Sequence, residues 1–201
     1  NSNGSIKKLY FKDTSFANLM MGRIYNILLI ASKYDAFMLE EDGRIDELIF
    51  NEYTSLNLRY PPRFTLASNR EEAEELLKIT SYDLFIIMPS KENSSVFEYA
   101  KELKDLFPTT PVVLLTPFSR EVFQRVFAGE DLTAIDYTFN WLGETDILLA
   151  IVKLLEDKMN VDQDVKSVGV QAILFVEDSI HFYSALLPYL YKHVFLQSRS
   201  F

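Results

Sequence analysis

Tyr82-Asp83-Leu84-Phe85-Ile86-Ile87-Met88-Pro89 encloses an unbroken apolar run between an aspartate and a proline. No polar residue recurs at alternate positions, so the run has no solvent face and predicts a strand buried on both sides. Asn26-Ile27-Leu28-Leu29-Ile30-Ala31 and Pro111-Val112-Val113-Leu114-Leu115-Thr116 read the same way. A sheet covered on both faces is a parallel sheet whose strands are joined by helices.

The intervening sequence supplies those helices. From Tyr34 to Leu56 the apolar residues Ile45, Leu48, Ile49, Tyr53 and Leu56 recur at helical spacing; Gly43 divides the stretch and Pro61-Pro62 ends it. Phe64-Thr65-Leu66-Ala67 is a further strand, and Ser68 with Glu71 has the spacing of a capping box for the next helix. Ser95 and Glu98 repeat that signal ahead of Val96, Tyr99, Ala100, Leu103 and Phe107. Ser119 to Ala128 predicts a helix, Ala134 to Asn140 the last strand, and Thr145 to Lys158 the last helix. Strands alternating with helices in this way predict right-handed βαβ units on one sheet.

The flanks differ. Residues 1–24 form a polar segment followed by a short amphipathic stretch, Asp13 to Met21. Residues 159–170 are polar and acidic and read as a linker. Beyond it, Ala172-Ile173-Leu174-Phe175-Val176 predicts one more strand, closed by Glu177-Asp178. A helix follows through Ile180, Tyr183, Leu187, Tyr191 and Val194, with Pro188 inside it.

Composition removes many functions. The 201 residues carry a net charge of −9 and a pI near 4.8, which disfavours phosphate backbones and anionic membranes as partners. There is no cysteine, so disulfides, thiol nucleophiles and cysteine metal sites are excluded. Both histidines, His181 and His193, fall in the last 21 residues, which leaves the long preceding stretch without an imidazole base. The six glycines are too scattered for a dinucleotide fingerprint or a P-loop. No signal peptide and no apolar run near the roughly 20 residues of a bilayer span is present, so a cytoplasmic location is expected.

The (βα)5 order, the phrase Tyr82-Asp83-Leu84-Phe85-Ile86-Ile87, the run Pro111 to Pro117 and Ile135-Asp136-Tyr137 together resemble the receiver domain of two-component response regulators. The resemblance covers residues 25–158. It implies a flavodoxin-like, doubly wound α/β fold with a five-stranded parallel sheet in the order 2-1-3-4-5. Ile173-Leu174-Phe175-Val176-Glu177-Asp178-Ser179 resembles the first strand and acidic pair of another receiver. Residues 171–201 would then be the start of a second receiver, a C-terminal βα unit. Lys12 to Met20 and Tyr34 to Tyr53 are similar to the amino-terminal region of bacterial multidomain proteins that carry a PEP/pyruvate-binding, pyruvate phosphate dikinase-like region further on.

A working receiver transfers a phosphoryl group to its own aspartate at the end of the third strand. An acidic pair ending the first strand holds Mg²⁺, which neutralises charge on the phosphoryl oxygens. A Ser or Thr ending the fourth strand and a Lys ending the fifth bind the remaining oxygens. Carried over, the acidic-pair positions hold Ala31 and Ser32, the nucleophile position holds Met88, and the lysine position holds Asn140; Thr116 alone matches. Methionine forms no acyl phosphate, and these positions offer no carboxylate for Mg²⁺. The resemblance therefore implies a pseudoreceiver with no catalytic residue and no cofactor of its own. Asp35 and Asp83 are the neighbouring acids.

Tyr137, three residues before Asn140, matches the family's switch aromatic and equally reads as a tyrosine filling a sheet–helix gap. With Trp141 and Leu142 it would mark an output face beside the fifth strand. Glu177 and Asp178 read as Mg²⁺ ligands of an intact second receiver, or as a helix cap whose charge complements the dipole. The acidic stretch Glu40 to Asp46 lacks calcium-loop spacing and reads as a solvated helical face.

The expected function is regulatory. The module would dock a protein partner or its own downstream domains, and in the intact protein it would govern a PEP/pyruvate-dependent phosphotransfer region. A phosphorelay receiver using Asp35 or Asp83 is one alternative. A small-ligand sensor using the vacated crevice near Ser32, Met88 and Thr116 is another. Residues 171–201 carry an apolar strand and helix that such a reading leaves uncovered, so a homodimer is expected.

Overall fold

The computed structural model describes residues 21–41, 43–90, 96–168 and 180–197. Five strands, β1 (Asn26–Ile30), β2 (Arg63–Ala67), β3 (Leu84–Ile87), β4 (Val112–Thr116) and β5 (Tyr137–Asn140), form one parallel sheet in the order β2-β1-β3-β4-β5. The helices are α1 (Lys33–Leu39), α2 (Ile45–Ser55), α3 (Arg70–Ile79), α4 (Val96–Leu106), α5 (Arg120–Val126), α6 (Asp146–Val168) and α7 (Ile180–Gln197). This is the flavodoxin-like, doubly wound topology expected from the sequence.

The apolar runs sit where their patterning requires. Every residue of β3 and β4 is buried. Successive side chains alternate between the two faces of the sheet. On one face Leu28, Ile30, Phe85, Ile87, Val112 and Leu114 pack with Ala73 of α3, Tyr99 and Leu103 of α4, and Phe123 of α5. The alternate residues Ile27, Leu29, Ile86, Val113 and Leu115, all fully buried, belong to the other face. The Lys153 ammonium of α6 lies 5.0 Å from the centre of the Tyr53 ring of α2.

Of the described residues, 24–153 with 180–197 form one compact unit, and 21–23 with 154–168 form a second. In the second unit the Asn160 amide closes on Gly22. Its Oδ1 accepts from the Gly22 N–H at 2.7 Å, and its Nδ2 donates to the Gly22 carbonyl at 2.8 Å and to the Glu156 carbonyl at 2.6 Å. A Cβ on Gly22 would stand 3.1 Å from that Oδ1, so a larger residue would oblige the amide to shift by a few tenths of an ångström.

Three local expectations are corrected. The helix expected to stop at Lys158 continues to Val168, through residues read as linker. The polar character of residues 159–170 does not place them in solvent: Asn160 and Asp164 continue a buried stripe begun by Glu156, and the three are 2%, 7% and 1% exposed. The cap of α3 is Asn69 rather than Ser68, with Glu72 rather than Glu71 reaching back to Ser68. The last strand begins at Tyr137, because Ala134 and Ile135 belong to a turn in which the Ile135 N–H reaches the Leu132 carbonyl. Gly43, at φ +133°, separates α1 from α2 as its position suggested. Apart from Met21, the amphipathic stretch Asp13 to Met21 lies outside the described residues, as do the Ser95 cap, the strand over 172–176 and the pair Glu177-Asp178.

Candidate functional site

Parallel strands bring their carboxyl ends to one rim of the sheet, the place where α/β folds bind ligands. Register fixes which residues meet there. Ile30 pairs with Ile87, Ile87 with Leu114, and Thr116 with Asn140. Ala31 and Met88 therefore follow the ends of neighbouring strands, and Thr116 and Asn140 close the next two. The Ala31 N–H bonds the Ala67 carbonyl at 3.1 Å, and the Met88 N–H bonds the Ile30 carbonyl at 2.9 Å. The structure thus gathers the predicted positions on one rim.

Their chemistry is inward-looking. Ala31, Met88, Thr116 and Asn140 are all buried. The Thr116 hydroxyl accepts from the Phe118 N–H at 3.1 Å. The Asn140 Nδ2 donates to the Phe118 carbonyl at 2.6 Å and to the Thr116 carbonyl at 3.4 Å. The Trp141 N–H donates to the same Thr116 carbonyl at 2.8 Å. One amide thus ties the end of β5 to the loop after β4. Ser32 caps α1: its Oγ accepts from the Asp35 N–H at 3.1 Å and donates to Asp35 Oδ2 at 2.7 Å.

The two neighbouring acids do not join this rim as a pair. Asp35 sits in the first turn of α1 and is engaged with its cap, Ser32. Asp83 lies at the opposite, amino end of the strands, where Oδ2 accepts from the Tyr25 and Asn26 N–H groups at 2.9 Å each. At about 3.3 Å per residue, β3 keeps Asp83 more than ~10 Å from Met88. Asp136 plays the same part at the start of β4, accepting from the Val112 N–H and from Lys104. Among the described residues no group of three or more histidines and acids is arranged to hold a metal ion.

The outer edge of β5, covered by α7, is the second feature. Tyr137 and Phe139 have ring centres 6.4 Å apart, and Phe139 stacks on Tyr183 of α7 at 5.3 Å with an interplanar angle of 28°. The Asn140 N–H donates to the Ser184 hydroxyl at 2.8 Å in a buried bond. Burial, with a smaller effect of Tyr137 nearby, pushes the Tyr183 hydroxyl up to about 12. Further along α7, Lys192 Nζ lies 3.1 Å from Glu52 Oε1 and 3.0 Å from Asp146 Oδ2. Burial opposes the Lys192 charge, but the hydrogen bonds it donates to Asp146 and Glu52 outweigh it and raise the ammonium above its ordinary value. Trp141 is half-buried and Leu142 is exposed just beyond β5.

These contacts correct the expectation that this terminal helix lies uncovered. Ser184 and Lys192 escaped the sequence reading. Their signal is slight: one serine and one lysine in a helix that is mostly apolar and aromatic. Among the described residues no helix is long and apolar enough to cross a membrane.

No protein-family model matches the chain, and no curated protein matches it. Solved structures do. A response regulator from Thermotoga maritima is 15% identical with a TM-score of 0.48, the match covering 67% of this chain and 98% of that one. A two-component response regulator from Clostridium difficile is 20% identical with a TM-score of 0.46, covering 68% and 98%. The response regulator TrrA from Thermotoga maritima, solved with Mg²⁺ and beryllofluoride, is 23% identical with a TM-score of 0.45, covering 66% and 99%.

Proposed function

We propose that residues 25–158 form a regulatory docking module with the receiver fold but without its phosphoacceptor chemistry. The observation that carries the reading is the rim itself: Ala31, Ser32 and Met88 stand where an acidic pair and an aspartate would be needed. In addition Asn140 spends its amide on the carbonyls of Thr116 and Phe118. An anion arriving there would meet a methionine and an alanine, both poor partners for phosphate. The module acts instead by contact, through the β5 side with Tyr137, Trp141 and Leu142. Its partner is a protein or a further domain of the same chain, in the cytoplasm. By the resemblance of its amino-terminal stretches, the intact protein would place a PEP/pyruvate-dependent phosphotransfer region under its control. An intact second receiver would hold Mg²⁺ through Glu177 and Asp178.

Incubation with acetyl phosphate and Mg²⁺, followed by intact-mass and acid-lability measurements, tests the reading. No phosphate on residues 25–158 and no change in their amide spectrum on adding beryllofluoride are expected. Stoichiometric acid-labile phosphate on Asp35 or Asp83 would overturn it.

A further inference from the structure

An edge strand exposes a row of unpaired backbone groups, and folded proteins cover or blunt that row. At the other end of the sheet, the Phe64 N–H of β2 is met by Asp46 of α2 at 3.3 Å. At β5 the cover comes from much further along the chain. α7 meets it with the Ser184 hydroxyl on the Asn140 N–H and the Tyr183 ring on Phe139. Lys192, eight residues beyond Ser184 and so about 12 Å along the helix, reaches the cleft between α2 and the start of α6.

That cleft has a volume of about 230 Å³; Leu48 and Ile49 line part of it, and Glu52, Glu144, Asp146 and Lys192 are the charged residues of its lining. Two of its carboxylates, Glu52 and Asp146, meet the Lys192 ammonium, so the cleft suits a cation. The β5 edge beside it offers a backbone donor and an aromatic face. Together they describe a receptor for a helix carrying an aromatic residue, a hydroxyl and, two turns on, a positive charge.

α7 satisfies that description while having little helical stability of its own. Pro188 interrupts its hydrogen-bond ladder, no acid stands in its first turn and no base in its last. Its helical state therefore depends on docking. Its burial among the described residues is uneven. Ser184, Leu187 and Pro188 are buried, whereas Leu186 and Tyr189 are 47% and 79% exposed.

We infer that α7 is an intramolecular occupant of the β5 edge, holding the docking surface closed until a partner helix of the same chemistry displaces it. The inference rests on the reading of this edge as the docking face. It identifies the partner's recognition element as a helix bearing aromatic, hydroxyl and cationic groups in the spacing of Tyr183, Ser184 and Lys192.

The test uses the full chain. Lys192→Glu sets a carboxylate against Glu52 and Asp146, and a charge-swapped variant adds Glu52→Lys and Asp146→Lys. Amide exchange of residues 180–197 is expected to quicken about tenfold or more in Lys192→Glu while β3 keeps its protection, and to return toward the original rate in the swap. A fluorescent peptide of residues 180–197 should then bind the Lys192→Glu chain at least ~10-fold more tightly than the unaltered chain, whose edge is occupied. Unchanged exchange in α7, or exchange that quickens equally in β3, would overturn the inference, as would equal binding of the peptide to both chains. Phosphate uptake by the rim leaves these readouts untouched, so failure of the docking reading on that ground is separable from failure of the latch.

Discussion

Asn140 shows how much one side chain settles. A lysine there could reach outward to an anion; the amide instead bonds two carbonyls of its own fold and fastens the β4–α5 loop. Asn160 does the same for Gly22, whose bare backbone admits the amide on both sides. Asp131 is a carboxylate fixed by a turn. Its Oδ1 accepts from the Thr133 hydroxyl at 2.6 Å and the Thr133 N–H at 2.9 Å, and Lys101 lies 3.2 Å from Oδ2. The Thr133 bonds foremost, with help from Lys101, pull the carboxyl down to about 2. A depressed carboxylate stabilises the fold fully above its ordinary unfolded value, and that contribution fades as pH falls through the folded value. The turn at 131–133 should therefore hold at pH 4 and loosen on approach to pH 2. An NMR titration of the Asp131 carboxyl carbon should find its midpoint near 2; a midpoint near the ordinary 3.8 would refute the geometry.

Among the elements, α3 shows most directly how local chemistry places a boundary. Asn69 accepts from the Glu72 N–H at 2.8 Å, while Glu72 accepts from the Ser68 N–H at 2.7 Å and from its hydroxyl at 2.8 Å. Those Ser68 bonds hold the Glu72 carboxyl below its ordinary range. The spacing of a capping box was visible in the sequence, but Ser68/Glu71 and Asn69/Glu72 satisfy it equally, and only backbone geometry separates them. Ala73 is the one fully buried residue of α3, so its start relies on this cap. Asn69→Ala should lower stability by about 1 kcal/mol in urea unfolding. An unchanged midpoint would show that Glu72 alone suffices. α6 teaches the converse lesson. Its polar residues at 160 and 164 lie in a stretch that reads as linker and are instead buried; polarity reports exposure only where no partner waits inside.

For the whole molecule, stability resides in the central strands. Ile86 is fully buried on β3, between β1 and β4, whereas Ile79 at the end of α3 is 81% exposed. Ile86→Ala should cost about 2–5 kcal/mol through lost transfer energy and a cavity, and Ile79→Ala under roughly 0.5 kcal/mol. Comparable losses at both positions, read from urea midpoints, would contradict this placement of the core. The sheet was legible because strands buried on both faces must be apolar throughout, and runs such as Leu84 to Ile87 have no other economical place to go. From such runs the sequence by itself determined the strands, their parallel connection and the lack of acids at Ala31, Ser32 and Met88, for these are local in composition and spacing. Tertiary structure alone decided that Asn140 turns its amide inward, that Asn160 grips Gly22, and that α7 brings Ser184 and Lys192 to the β5 edge and the acidic cleft. Each of those contacts joins residues distant in the chain, and a polar side chain carries no mark in its own neighbourhood of the partner that folding will bring to it.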